Sequence, residues 1–152
     1  MNKFESLFAE YPCVLTDESV KASVAEILAK HFNENNNIEV WKQCLHSIDL
    51  TTLNGDDTTE KVETMAQRVN EFEEKFPGVP NVAAMCVYPA LVQTASDTLT
   101  EPIGIAAVAA GFPASQTFIE VKVAEAAMAV AAGATEIDIV ISIGKFLEGN
   151  YQ

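Results

Sequence analysis

Apolar positions recur at two different spacings along this chain, and the change from one to the other divides it. After Thr16, residues Val20, Val24, Ile27 and Leu28 fall three or four apart, the period of a helix with one apolar face. Thr16 or Asp17 is placed to cap it. The helix should end near His31, before the polar run Asn33-Glu34-Asn35-Asn36-Asn37. His31 at a helix C-terminus sits well against the helix dipole, which explains it without chemistry. A second short helix fits Ile38 to His46, burying Trp41 and Leu45.

From Ser47 the pattern becomes strand and helix in alternation. Ile48 to Leu53 is a β-prone run that stops at Asn54-Gly55. Asp57-Thr58-Thr59-Glu60 reads as a capping box, opening a helix that runs to about Phe76 before Pro77-Gly78. Val82 to Tyr88 is a second strand, followed by a helix through Leu91 to Leu99. Ile103 to Val108 is a third, ending before Gly111-Phe112-Pro113. An Ala-rich helix from about Thr117 to Ala132 stops at Gly133, and Glu136 to Ser142 makes a fourth strand. The order β-α-β-α-β-α-β implies parallel strands joined by helices.

Two architectures fit that order, an open doubly wound sheet or part of a (β/α)₈ barrel. The first strand-to-helix turn, Asn54-Gly55-Asp56-Asp57, has no dinucleotide-binding glycine pattern, and no phosphate-loop sequence follows any strand. Polar groups instead sit on or just after strands: Asp49 and Thr51, Cys86 and Tyr88, Asp138 and Ser142. Each pair is spaced to share one face of its strand. In a barrel that face is the interior, where strand C-termini carry the active site. The barrel is the better reading.

Charge narrows the partners. Nine Lys plus Arg stand against 22 Asp plus Glu, a formal net charge of −13, which excludes general binding to a phosphate backbone and disfavours anionic membranes. The opening residues, with Lys3, Glu5 and Glu10, hold no signal-peptide core. The longest uncharged run, Pro102 to Ile119, is broken by Gly104, Gly111 and Pro113 and is unsuited to a membrane helix. Cys13, Cys44 and Cys86 form no CxxC pair and read as reduced thiols, so a cytoplasmic protein is expected.

Among candidate chemical groups Asp138 is the sharpest. It sits between Ile137 and Ile139 in a strand expected to be covered on both faces. A carboxylate there is either catalytic or paired with a lysine for stability alone. Asp49 could face the same site or cap the following loop. Cys86 fits a small core residue, with no histidine spaced to activate it. His46 fits a helix end. Lys145, beside Gly144, fits a solvated lysine, and Lys122, between Glu120 and Glu125, is expected outside the barrel.

Four segments taken together are similar to one family. Ile48-Asp49-Leu50-Thr51-Thr52-Leu53-Asn54, Ala84-Met85-Cys86-Val87-Tyr88-Pro89, Gly111-Phe112-Pro113 and Glu136-Ile137-Asp138-Ile139-Val140-Ile141 resemble the deoxyribose-phosphate aldolases, in order, from about His46 to Gln152. The resemblance implies a (β/α)₈ barrel and a class I aldolase with neither metal nor cofactor. Such enzymes cleave 2-deoxy-D-ribose 5-phosphate reversibly to acetaldehyde and D-glyceraldehyde 3-phosphate. A strand lysine forms a Schiff base with the substrate carbonyl, and the protonated imine serves as electron sink. Asp138 matches the family's proton-relaying aspartate, and Asp49, Thr51 and Cys86 match cavity-lining positions.

The same resemblance puts both functional lysines on strands six and seven, and the phosphate-cradling loops after strands seven and eight. The expected organisation is therefore a helical extension at 1–45 and the first half of a barrel at 46–152, with no Schiff-base lysine and no activity alone. The alternatives are a non-catalytic half-barrel that acts by assembly, or a piece of a related Schiff-base aldolase with another acceptor. Expected partners are a small phosphorylated sugar or aldehyde in the complete enzyme, and either further copies of the chain or a C-terminal half. Half a barrel should also expose two strand edges and an interior that includes Ala84, Cys86 and Val140.

Overall fold

The structure, a computed structural model, describes residues 3–151. They form two compact units, one reaching to Trp41 and including Tyr151, the other Lys42–Asn150. The first contains helices α1 (Lys3–Glu10) and α2 (Asp17–Asn35). Thr16 caps α2 reciprocally with Ser19: its Oγ1 accepts from the Ser19 amide at 3.2 Å, and Ser19 Oγ accepts from the Thr16 amide at 2.9 Å. The helix runs four residues beyond its expected end at His31. Ion pairs Lys30–Glu26 and His31–Glu34 support its last turns, and Asn36 closes it by donating to the Phe32 carbonyl. Tyr151 packs on Phe4 and Phe8, with ring centroids 5.8 and 5.0 Å away. No helix among the described residues is long and apolar enough to cross a membrane.

Helix α3 (Ile38–His46) begins where Asn37 Oδ1 accepts from the amides of Glu39 and Val40. Of the two side chains expected to be buried, only Leu45 packs on a core; Trp41, one turn earlier, is 55% exposed.

In the second unit four parallel strands, β1 (Asp49–Thr51), β2 (Ala84–Val87), β3 (Gly104–Ala109) and β4 (Glu136–Ile139), lie side by side in chain order. The crossovers are α4 (Thr59–Asn70) and α5 (Phe72–Lys75), then a 3₁₀ turn at Pro89–Leu91 with α6 (Val92–Thr98), then α7 (Ile119–Ala131). A short α8 (Ile143–Leu147) follows β4.

Register sorts the side chains into two sets. Asp49 pairs with Ala84, Thr51 with Cys86, Cys86 with Ala106, and Val108 with Asp138, so these share one face. Leu50, Met85, Val87, Ile105, Ala107 and Ile137 form the other face and pack with Val62, Ala66 and Val69 of α4, Val92 and Ala95 of α6, and Ala129 of α7. Gly104 lets β3 pass close to its neighbours: a Cβ there would press on Ala84 Cβ at 3.1 Å and displace the carboxylate end of Glu136.

The elements are shorter than the apolar runs that predict them. Val140 to Ser142 leave β4 because the Val140 carbonyl accepts from Ser115 Oγ at 2.9 Å instead of extending the ladder. The long helix expected to Phe76 breaks at Glu71, next to Asn70. That side chain donates to the Thr98 carbonyl and accepts from the Thr100 amide, both at 2.9 Å.

The capping box also shifts by one residue. Thr58, not Asp57, caps α4, its hydroxyl accepting from the Lys61 amide at 3.2 Å. Asp57 instead closes the β1–α4 turn. It accepts from Thr52 Oγ1 at 2.9 Å, the Asn54 amide at 3.0 Å and Lys61 Nζ at 2.5 Å, with its side chain 1% exposed. The Lys61 bond, aided by those from Asn54 and Thr52, outweighs desolvation and holds the carboxyl down at about 2, against an ordinary 3.8.

The opening expected at the barrel interior is only partly found. Leu53, Tyr88 and Phe112 close over Cys86, Ala106 and Val108; Ala84 is buried as well, and Val140 is half-buried. Apolar surface lies instead on α7, at the end of β4 and on α8. Met128 is 72% exposed, Ile139 68% and Leu147 78%, and β1 and β4 each have a strand neighbour on one side only among the described residues.

Two outcomes are expected. Open strand edges and that apolar surface favour association, and salt screens the opposing negative charge over a Debye length of ~8 Å at physiological ionic strength. Light scattering across a dilution and salt series should show a dimer or larger species. A cooperatively folding monomer that binds no apolar dye overturns this. For Asp57, a folded value below the unfolded one stabilises the fold fully above the ordinary 3.8, and that stabilisation is lost as pH falls toward 2. Asp57→Asn should therefore lower stability to urea at neutral pH and flatten its fall over that acid window. An unchanged pH profile would assign the acid sensitivity to other carboxylates.

Candidate functional site

The face opposite the helices carries the titratable groups. Asp49 lies beside Ala84 in the lowest layer of the sheet, Thr51 beside Cys86 in the next, and Asp138 beside Val108 nearest the C-terminal end. Asp49, Thr51, Cys86 and Asp138 are thereby brought onto one surface, from positions up to 89 residues apart (49 to 138). Glu136, which the sequence reading passed over, joins them through its pairing with Ala106. Its signal was present, since it precedes Asp138 by two in the same strand.

Cys86 is the enclosed member, 2% exposed, and its thiol lies 4.0 Å from Asp138 Oδ2. Burial, more than anything else, pushes the Cys86 thiol up, and the negative charges of Asp138, Asp49 and Glu136 push the same way against a bond from Thr51. A thiol held protonated by apolar surroundings and carboxylates is a poor nucleophile. Cys86 therefore shapes the surface and does not attack.

Asp138 is not buried as expected. It is exposed, because its flanking residues Ile137 and Ile139 belong to the opposite face and nothing among the described residues covers its own. Asp49 does not cap the following loop, since Asp57 does so; it lies on the shared face, and its carbonyl accepts from Thr51 Oγ1 at 2.8 Å. Tyr88 donates to the Leu53 carbonyl at 3.3 Å and meets Phe112 edge-on at 6.5 Å, roofing the layer above Cys86.

The remaining candidates lie elsewhere. His46 ends α3 with Nδ1 2.9 Å from the Asn81 carbonyl oxygen, and His31 contacts Glu34. Lys145 makes an exposed pair with Glu148 at 3.0 Å. Lys122 is the surprise. It is on α7, as its neighbours Glu120 and Glu125 indicate, yet only 7% exposed, with Nζ donating to Ser115 Oγ at 2.5 Å and Ser142 Oγ at 2.6 Å. The signal that could have found it is its seven-residue spacing from Ala129, the other buried residue of α7.

Comparison with known proteins agrees with this geometry. The family described as "DeoC/LacD family aldolase" matches residues 44–149. The deoxyribose-phosphate aldolase of Homo sapiens is 38% identical over 122 residues, covering 69% of this chain and 36% of that protein. Among solved structures, "QR15, an Aldolase" superposes with a TM-score of 0.61 at 28% identity, over 70% of this chain and 44% of its own. The tetrameric deoxyribose phosphate aldolase of Aeropyrum pernix shares the fold, with a TM-score of 0.58 at 22% identity over 72% of this chain and 44% of its own. The chain spans little more than a third of the length of its human relative. With four parallel strands in barrel order and a family match over most of its residues, the chain belongs to the DeoC/LacD aldolase family.

Proposed function

We propose that Lys42–Asn150 supplies the proton-handling side of a Schiff-base aldolase acting on a phosphorylated deoxy-sugar in the cytoplasm, with the N-terminal helices as an extension of the barrel. The observation that carries this reading is the exposed carboxylate of Asp138, on the C-terminal layer of the face it shares with Cys86, Thr51 and Asp49. A carboxylate free of any ion pair among the described residues can accept a proton, pass it through water, and hold the charge of a lysine brought to it. Asp49, Thr51 and Cys86 share that face and give it shape and polarity. The three free cysteines fit a reducing compartment.

Carbon–carbon cleavage also needs an electrophile. An amine condenses with the substrate carbonyl, water leaves, and the protonated imine accepts the electron pair of the breaking bond. Strands β1 to β4 hold no lysine, and Lys122 and Lys145 are engaged with the two serines and with Glu148. The amine must reach Asp138 from another segment of a completed barrel.

Two measurements test this. With deoxyribose 5-phosphate and borohydride, the 152-residue chain alone should show neither cleavage above background nor a stoichiometric reduced adduct by mass spectrometry. An adduct on Lys122 or Lys145 would overturn the assignment of both. In a barrel completed with a lysine-bearing C-terminal half, Asp138→Asn keeps the shape but removes the base, so kcat should fall ~10²–10⁴-fold. Full turnover in a folded variant would end the catalytic role of Asp138.

A further inference from the structure

The aldolase reading leaves one buried charge unused. Lys122 is 93% enclosed on a relative exposure of 7%, and both its partners are neutral hydroxyls. Burial of an ammonium is costly unless an opposite charge meets it. This chain has 22 acidic residues against nine basic ones, yet no carboxylate among the described residues lies within ion-pair distance of Lys122. An ammonium has three N–H donors. Two are used, on Ser115 and Ser142, and the third has no acceptor among the described residues.

Those two serines differ. Ser115 passes its own proton to the Val140 carbonyl, so it is spent. Ser142 accepts from Lys122, and its hydroxyl proton meets no acceptor among the described residues. Both line a cavity of about 360 Å³ between the β3–α7 and β4–α8 loops, together with Gln116, Thr117, Lys145 and Glu148. A hydroxyl that accepts from a buried cation is a stronger donor than a free one. The cavity therefore offers a polarised O–H at its wall, an ammonium behind that wall, and a second ammonium, Lys145, at its mouth. Glu148 opposes an anion, but it is already paired with Lys145 across an exposed contact of little strength.

We propose that this cavity binds a small phosphate-type oxyanion, with Ser142 as donor and Lys122 as the buried counter-charge. The inference does not depend on the aldolase reading, because it uses neither Asp138 nor a Schiff base. It assigns to the cavity between the β3–α7 and β4–α8 loops an anion site on Ser142 and Lys122, which shares no residue with the carboxylate face.

Equilibrium dialysis of the full chain against radiolabelled inorganic phosphate, at ionic strength fixed with chloride, reads binding whatever the state of association. About one saturable phosphate per chain is expected. Lys122→Met should weaken it at least tenfold, Lys122→Arg should retain it, and Ser142→Ala should weaken it several-fold. Circular dichroism checks that each variant is folded, and if Lys122→Met is not, Ser142→Ala and Lys122→Arg decide. A parallel arm with glycerol 3-phosphate separates the sources of the oxyanion. Equal affinity supports a free-ion site, and tighter binding of the ester supports one that also holds the attached carbons. Absence of saturable binding overturns the proposal, and so does binding that Ser142→Ala and a folded Lys122→Met leave unchanged.

Discussion

Strict alternation along four parallel strands is the constraint on which the rest of this fold depends. A slip of one residue in any strand would exchange its two faces. In β4 that slip would place Asp138 among Met85, Val87 and Ile105, a carboxylate in an apolar core with no partner. In β2 it would carry Met85 out and Cys86 in. Register is therefore fixed by the cost of burying charge on one side as much as by apolar burial on the other. The titratable residues do not merely occupy the sheet; they help to specify it.

That sorting also explains the unequal state of the groups it gathers. Cys86 and Asp138 are adjacent, yet one is enclosed and the other open to solvent. The difference arises from position across the sheet. Cys86 is on an inner strand under Leu53, Tyr88 and Phe112, whereas Asp138 is on the outermost strand. The carboxylate raises the thiol's proton affinity, and the thiol offers the carboxylate no charge in return. Asp49, Glu136 and Asp138 make no ion pair among the described residues, an arrangement that suits the lysine the proposed mechanism brings from elsewhere in a barrel.

Element order was legible in the sequence because periodicity changes from helical to alternating at Ser47, and each crossover ends in a recognisable breaker such as Gly133, whose φ is +110°. Boundaries were less legible, for a local reason. Where backbone groups find side-chain partners, as the Val140 carbonyl finds Ser115, the regular element stops although the apolar run continues. The shared face of Asp49, Thr51, Cys86 and Asp138 followed from alternation alone. The burial of Asp138 did not, since apolar neighbours in a strand describe the opposite face and say nothing of what covers its own. Lys122 is on an outer helix, as its charged neighbours indicated, but its burial was not legible, because the Ser115 and Ser142 hydroxyls that meet it come from loops distant in sequence.

The side chains of the two proposed sites meet through the backbone that follows β4. Asp138 precedes Val140 by two residues, and the Val140 carbonyl is held by Ser115, which in turn is held by Lys122. Ser142, two residues further on, returns to the same ammonium. A buried lysine on α7 thus ties together three points: the exit of β4, the β3–α7 loop and the start of α8. The segment cannot extend the strand and satisfy Lys122 at once, so the strand ends at Ile139 and the chain turns. An anion drawn to Lys122 would add a negative charge to this hub and tighten its hold on Ser142. The carboxylate two residues upstream of Val140 would then sit on a better anchored strand end. The proposed proton-handling carboxylate and the proposed anion site thus share a single mechanical element, held by one desolvated ammonium.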